Sequence, residues 1–246
     1  MFRRIFLSLY ILLYSCSVTL SNEIKTNLLP ARRKCGQHEE DRIFGGTKTT
    51  IEEFPWLVLL KSANNGFTCG GSLINNRYVL TAAHCVSEDI VSVRLGEYNL
   101  EKDEDCEGDD TPGLEYCADP VVNVEVEERI VHEGFDSRDR NAYGDIALLR
   151  LKKEVNYTKF IQPICLPHFS ELRTKNFEGK KAVVAGWGRT EKKWESEVKL
   201  KVELPIQSNE DCSEIYQQRE INIKNSQICV GEKRERILVK VTVVVL

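Results

Sequence analysis

A chain of 246 residues is long enough to bury one sizeable core or two compact subdomains. Charged residues make up 29% of it and the formal net charge is -4, so no basic face for nucleic acid is implied. The charge is uneven, with an acidic run from Glu101 to Asp110 and a basic patch from Lys233 to Arg236.

The N-terminus reads MFRRIFLSLYILLYSCSVTLSN: two arginines, an apolar run from Ile5 to Tyr14, then small residues. That is the layout of a secretory signal peptide covering residues 1–21. A membrane anchor is the alternative, but the run is short for a bilayer and no stop-transfer charges follow it. No other stretch can span, so no membrane association is expected. Residues 22–42 are polar, charged and aperiodic, and read as a short pro-segment. From Ile43 onward, β-branched runs recur between Gly, Asn and Asp: WLVLL, GSLI, YVLTAA, VSVRLG, IALLRL, AVVAGWG and VKLKVELPI. This rhythm predicts an all-β sandwich or barrel. One stretch, NEDCSEIYQQ, reads as a helix, with Asn209 or Asp211 as its cap and Ile215 and Tyr216 as its apolar face.

Of nine cysteines, Cys16 leaves with the signal, and the even remainder of eight predicts disulfides in an oxidising compartment. Spacing alone leaves their pairing open. Zinc is the competing use, but no CxxC pair or His/Cys cluster at ligand spacing occurs, so no metal ligands are assigned. Asn156, in NYT, is an acceptor sequon for N-glycosylation.

A lone histidine is usually structural, and His38, His132 and His168 are given no role. His84 differs because of its company. In CGGSLINNRYVLTAAHC it follows a strand-like run, and Cys69 and Cys85 stand at the two ends of a predicted hairpin. A bridge between them would close a loop of about fifteen residues, worth roughly 3 kcal/mol, and fix the histidine's backbone. Asp145 opens the apolar stretch DIALLRL. It reads either as a strand cap or as a buried carboxylate that orients an imidazole and stabilises its cation.

RIFGG, TAAHC, DIALLRL, ICLP and VVAGWG occur in the order of trypsin-like (chymotrypsin-family) serine proteases. The chain resembles that family from Cys35 to about Gly231, and most resembles arthropod haemolymph proteases of the clip type. KCG before the activation site and a cysteine pair in an acidic loop carry the closer likeness, although Ser21 to Arg42 is too short to hold a clip domain. The resemblance implies two packed antiparallel β-barrels with the site between them, His84 as general base and Asp145 as its orienting partner. It also implies the pairs Cys69–Cys85, Cys106–Cys117, Cys212–Cys229 and Cys35–Cys165, the last tethering the pro-segment after cleavage at Arg42–Ile43. Protein substrates and an upstream activating protease follow from it. Glu97 and the carboxylates near Asp105 become a candidate calcium site, weighed against a solvated acidic loop.

The family's nucleophile lies in a GDSGGP loop whose amides form the oxyanion hole. No serine here has that context: Ser72 sits on a predicted strand, and Ser208, Ser213 and Ser226 have no neighbouring glycine. The tail ILVKVTVVVL offers a reason. Read one base earlier with suitable synonymous codons, the same nucleotides give DSCKGDSGGP. Each valine codon, GTN, becomes NGT, which allows only Ser, Gly, Cys or Arg, and so permits Ser-Gly-Gly across Thr242 to Val245. Residues 43–233 are therefore expected to be a truncated protease domain with an incomplete second barrel, and 234–246 an out-of-frame tail. An authentic divergent tail is the alternative. Two function classes remain: a secreted trypsin-like endopeptidase whose product here is shifted in frame, and a non-catalytic homologue that acts by binding.

Overall fold

The computed structural model describes residues 28–37, 47–108, 115–167, 175–188, 195–231 and 244–245. The signal segment, His38, the Arg42–Ile43 bond, His168 and most of the tail lie outside the described residues.

Six strands close a barrel: β2 (Leu57–Ser62), β3 (Gly66–Leu73), β4 (Tyr78–Thr81), β5 (Ile90–Leu95), β8 (Val122–Val131) and β9 (Ala147–Leu151). Around the barrel they run β2-β3-β4-β9-β8-β5, and every pairing is antiparallel. Alternation fills it. Val93 and Leu95 of β5, with Ile90 at its start, and Leu149 and Leu151 of β9 are buried in one core with Trp56, Leu60, Leu73 and Val79. Beside the barrel, β6 (Cys106–Glu107) and β7 (Tyr116–Cys117) form a two-stranded ribbon across the acidic loop.

The second lobe is a sheet that does not close. Its order is β1 (Thr47–Lys48), β11 (Leu200–Gln207), β10 (Lys181–Gly186) and β13 (Val244–Val245), with β12 (Cys229–Val230) paired to the end of β11. The all-β, chymotrypsin-type architecture therefore holds, with one closed six-stranded barrel and one unclosed sheet. Within the tail, Val244 and Val245 line up against Val184 and Val183.

Helix α1 spans Asn209–Gln217, as its sequence predicts, but its cap is Ser208, whose hydroxyl accepts a hydrogen bond from the Asp211 amide at 3.0 Å. Its buried face is also different. Cys212 and Tyr216, one turn apart, point inward while Ile215 is exposed. The disulfide from Cys212 to Cys229 fixes that face against β12.

The other disulfides join Cys35 to Cys165, Cys69 to Cys85 and Cys106 to Cys117. Residues 28–37 lie along the closed barrel. There the Gly36 amide donates to Pro163 O at 2.8 Å and Asn75 Nδ2 donates to Leu28 O at 2.8 Å. Asn156 is exposed, beside the buried Val155.

The two glycines of CGGSLI differ in what they allow. A Cβ at Gly71 would lie 2.8 Å from Val79 Cγ1 and 2.9 Å from the Leu80 carbonyl, whereas at Gly70 the nearest atom is 3.6 Å away. Gly71→Ala is expected to lower the unfolding free energy by about 1–3 kcal/mol through overpacking, and Gly70→Ala to have a much smaller effect. Urea unfolding of both variants checks the difference, and equal midpoints would contradict it.

Candidate active site

Strand pairing brings His84 and Asp145 together. β4 and β9 are antiparallel, with Thr81 at the end of one opposite Ala147 at the start of the other. His84 lies three residues beyond Thr81 and Asp145 two residues before Ala147, so both side chains emerge at the same end of neighbouring strands. A 3-10 turn, Ala83–Cys85, carries the histidine, with Ala83 and Cys85 buried beneath it. The Cys69–Cys85 bridge ties that turn back to β3.

Asp145 holds His84 at two points. Its Oδ2 lies 2.7 Å from the imidazole Nδ1, and its Oδ1 accepts the His84 backbone amide at 2.8 Å. The first bond fixes the ring and the second fixes the turn. With Nδ1 bonded to the carboxylate, the neutral ring carries its proton there and leaves Nε2 as a free base. The histidine side chain is 39% exposed and the carboxylate 21%, so the ring faces outward while its partner is shielded.

Among the described residues, none of Ser72, Ser208, Ser213 and Ser226 joins this pair. Ser72 is buried on β3, Ser208 caps α1, and Ser213 Oγ donates to Asn209 O at 2.7 Å. Ser226 is exposed on the loop before β12.

The acidic loop is solvated only in part: Glu101 to Glu104 are exposed, whereas Glu97 and Asp105 are buried. Its donors do not suit a calcium ion. Glu97 accepts from Arg94 Nη1 at 3.1 Å and from the Tyr98 amide at 2.9 Å. Asp105 Oδ2 accepts the Tyr98 and Asn99 amides, which leaves only its buried Oδ1 without a hydrogen bond. A protein cation already neutralises the cluster, the buried Lys199 of the second lobe. Two other groupings bring His84 near Cys69 and Cys85, and Glu104 near Cys106 and Cys117. Both contain disulfide-bonded cysteines, which offer no thiolate to a metal.

Around Lys199 the two lobes are stitched together, a feature that sequence reasoning missed. The Lys199 backbone amide and Trp187 Nε1 both donate to Tyr98 O, at 3.0 and 2.9 Å, and the Leu100 amide donates to Glu197 O at 2.8 Å. Lys199 Nζ lies 6.0 Å from the Tyr98 ring and 5.8 Å from that of Trp187. The lysines of VKLKV alternate as a solvent face would, which hid the burial of Lys199. The acidic run opposite was the available signal.

Burial pushes the Lys199 ammonium down to about 8, even though Glu53, Asp105, Glu97 and Glu107 each pull it back up. Between pH 8 and the ordinary lysine value, the unfolded chain binds a proton that the folded chain has lost. Stability contributed by this group therefore rises with pH across that window. The stability of the wild type minus that of Lys199→Met should climb from pH 8 to 10 with a slope approaching about 1.4 kcal/mol per pH unit. Urea titrations at stepped pH measure it, and a flat or falling difference would contradict the burial of this charge.

Comparison with known proteins agrees with this architecture. Residues 43–237 match the Trypsin family, and the chain belongs to that family. It is 45% identical over 222 residues to CLIP domain-containing serine protease HP8 of Bombyx mori, covering 86% of this chain and 58% of that one. With Melanization protease 1 of Drosophila melanogaster it shares 44% over 215 residues, covering 84% and 54% respectively. Among solved structures, the Drosophila Grass clip serine protease of the Toll pathway superposes with a TM-score of 0.72 at 36% identity. That alignment covers 87% of this chain and 59% of the other. The chain thus spans somewhat more than half the length of the relatives it matches.

Proposed function

We propose that this chain derives from a secreted trypsin-like serine endopeptidase of the clip type, made as a zymogen and cleaved at Arg42–Ile43. The observation that carries the proposal is the two-point grip of Asp145 on His84. In this reading His84 is the general base, taking a serine proton at Nε2 and later giving it to the leaving amine. Asp145 keeps the proton on Nδ1 and stabilises the imidazolium. Likeness to HP8, Melanization protease 1 and Grass supports an extracellular place, protein substrates and an upstream protease that cuts the pro-segment. Residues 1–21 are the signal, 22–42 the pro-segment, 43–233 the truncated protease domain and 234–246 the frame-shifted tail. Asn156, exposed in its sequon, carries the glycan.

No serine occurs after Ser226 in this sequence. An acyl-enzyme needs both a nucleophile and an oxyanion hole, so the chain as written hydrolyses no peptide. Restoring the other frame from about Lys233 is expected to give an active protease that cleaves after Lys or Arg. Sequencing the nucleotides around codons 230–246 and assaying the corrected product on Arg- and Lys-terminated substrates test this. A corrected gene lacking Gly-Asp-Ser-Gly-Gly would overturn the frame reading. It would favour the second reading, a non-catalytic homologue that acts by binding, which the missing serine itself supports.

Cleavage at Arg42–Ile43 of the chain as written should proceed without activating it. In the family the new Ile43 amine pairs with the aspartate that precedes the nucleophile, and that loop is missing. An unpaired buried charge costs about 3–5 kcal/mol, so the amine stays in water. The Cys35–Cys165 bridge should keep the cleaved pieces in one band until reductant is added. The Ile43 amine should acylate as fast as a free peptide's, and strong protection would contradict this account.

A further inference from the structure

Asp145 lies outside the strand ladder, in a turn whose C-terminal side is held by β9. The Ile146 amide donates to Gly144 O at 2.7 Å, and Ile146 O accepts the His132 amide at 3.1 Å. On the N-terminal side, Ala142 and Gly144 both have positive φ, 52° and 66°. Such a turn keeps its shape only if its surroundings hold it.

The first lobe supplies part of those surroundings, since Gly144 packs closely against His132 and Gly134, and the other lobe supplies the rest. Asn141 Oδ1 accepts the Asn222 amide at 2.7 Å, and Asn141 O accepts from Gln227 Nε2 at 3.0 Å. Tyr143 OH donates to Asn222 O at 2.7 Å, and Lys224 Nζ stands 3.6 Å from the centre of the Tyr143 ring. Within the first lobe, the hydrogen bonds of Asn141 and Ala142 reach only to Asp139, close along the chain. The second-lobe loop is itself pinned, since Asn209 Nδ2 at the start of α1 donates to Lys224 O and Gln227 O, both at 3.2 Å.

We propose that Asn141 is a positioning residue. Through Asn222 and Gln227 of the second lobe it fixes the turn that carries Asp145, and so makes the His84–Asp145 pair depend on that lobe. The importance of the pair rests on the function proposed above, but its geometry does not.

The test reads one lobe while changing the other. In the full chain labelled with 15N-histidine, solvent exchange of the His84 Nδ1 proton is followed by NMR, with near-UV circular dichroism as the control for folding. Asn141→Ala and Gln227→Ala should each speed that exchange about fivefold, what losing one ordinary hydrogen bond allows. Tyr143→Phe removes only the hydroxyl bond and should speed it less. Unchanged exchange in folded Asn141→Ala and Gln227→Ala would reduce the clasp to a structural contact and overturn the proposal. If those two do not fold, Tyr143→Phe decides by the same signal: faster exchange supports the proposal and unchanged exchange overturns it. No turnover is measured, so an inactive frame-corrected protease would count against the proposed function and leave this result standing.

Discussion

Everything at the site depends on the antiparallel pairing of β4 with β9. It closes the barrel, and it puts the end of TAAHC opposite the start of DIALLRL. The register leaves little freedom, because a slip by one residue would turn Leu149 and Leu151, both fully buried, toward solvent. The apolar packing of β9 therefore also sets the distance between an imidazole and a carboxylate. The Cys69–Cys85 bridge then removes the remaining freedom of the turn that carries His84.

The two lobes are built unequally but joined firmly. The first lobe has a closed ladder and a contiguous core. The second has half-buried strands around β11, which accepts partners on both sides and at its end. Among the described residues, two polar contacts between the lobes stand out beside the packing of Val183, Ala185 and Trp187 on the first lobe's core. One is the buried charge cluster, where Lys199 enters an acidic loop. The other is the hydrogen-bonded clasp ahead of Asp145. The first is costly unless its charges are matched, and breaking such a pairing leaves an uncompensated charge. Each lobe's loops thus rest on the other lobe.

Strands buried on the barrel's inner face were legible because their apolar runs are short and bounded by turn residues. β8 was not, and its composition explains why. In VNVEVEERIV only Val124 is buried, charged residues alternate along the strand, and the register shifts between Val126 and Glu128. Short-range signals also misled at α1, where Ser208, Asn209 and Asp211 are all cap-type residues and only Ser208 takes the cap. His84 and Asp145 were legible because each sits in an unusual local pattern. Lys199 and Asn141 were not, since both owe their significance to residues far along the chain. Tyr98 lies about a hundred positions from Lys199 and Asn222 about eighty from Asn141.

This distribution bears on what the unusual tail can and cannot damage. His84 and Asp145 both sit on the first lobe, on a barrel whose strands all precede residue 152, and the second-lobe residues that clasp the turn before Asp145, Asn222 and Gln227, also precede residue 233. On the frame-shift reading proposed above, a fault near residue 233 would leave this pair in place. Proton transfer alone does not make a protease, however. A base without a nucleophile has nothing to activate, and a developing oxyanion without amide donors remains unstabilised. On that reading the chain would keep the scaffold and lose the reaction. Asp145 nonetheless holds both the ring and the backbone of His84, and on the frame-shift reading proposed above that grip keeps the imidazole placed for a nucleophile that the other frame would supply.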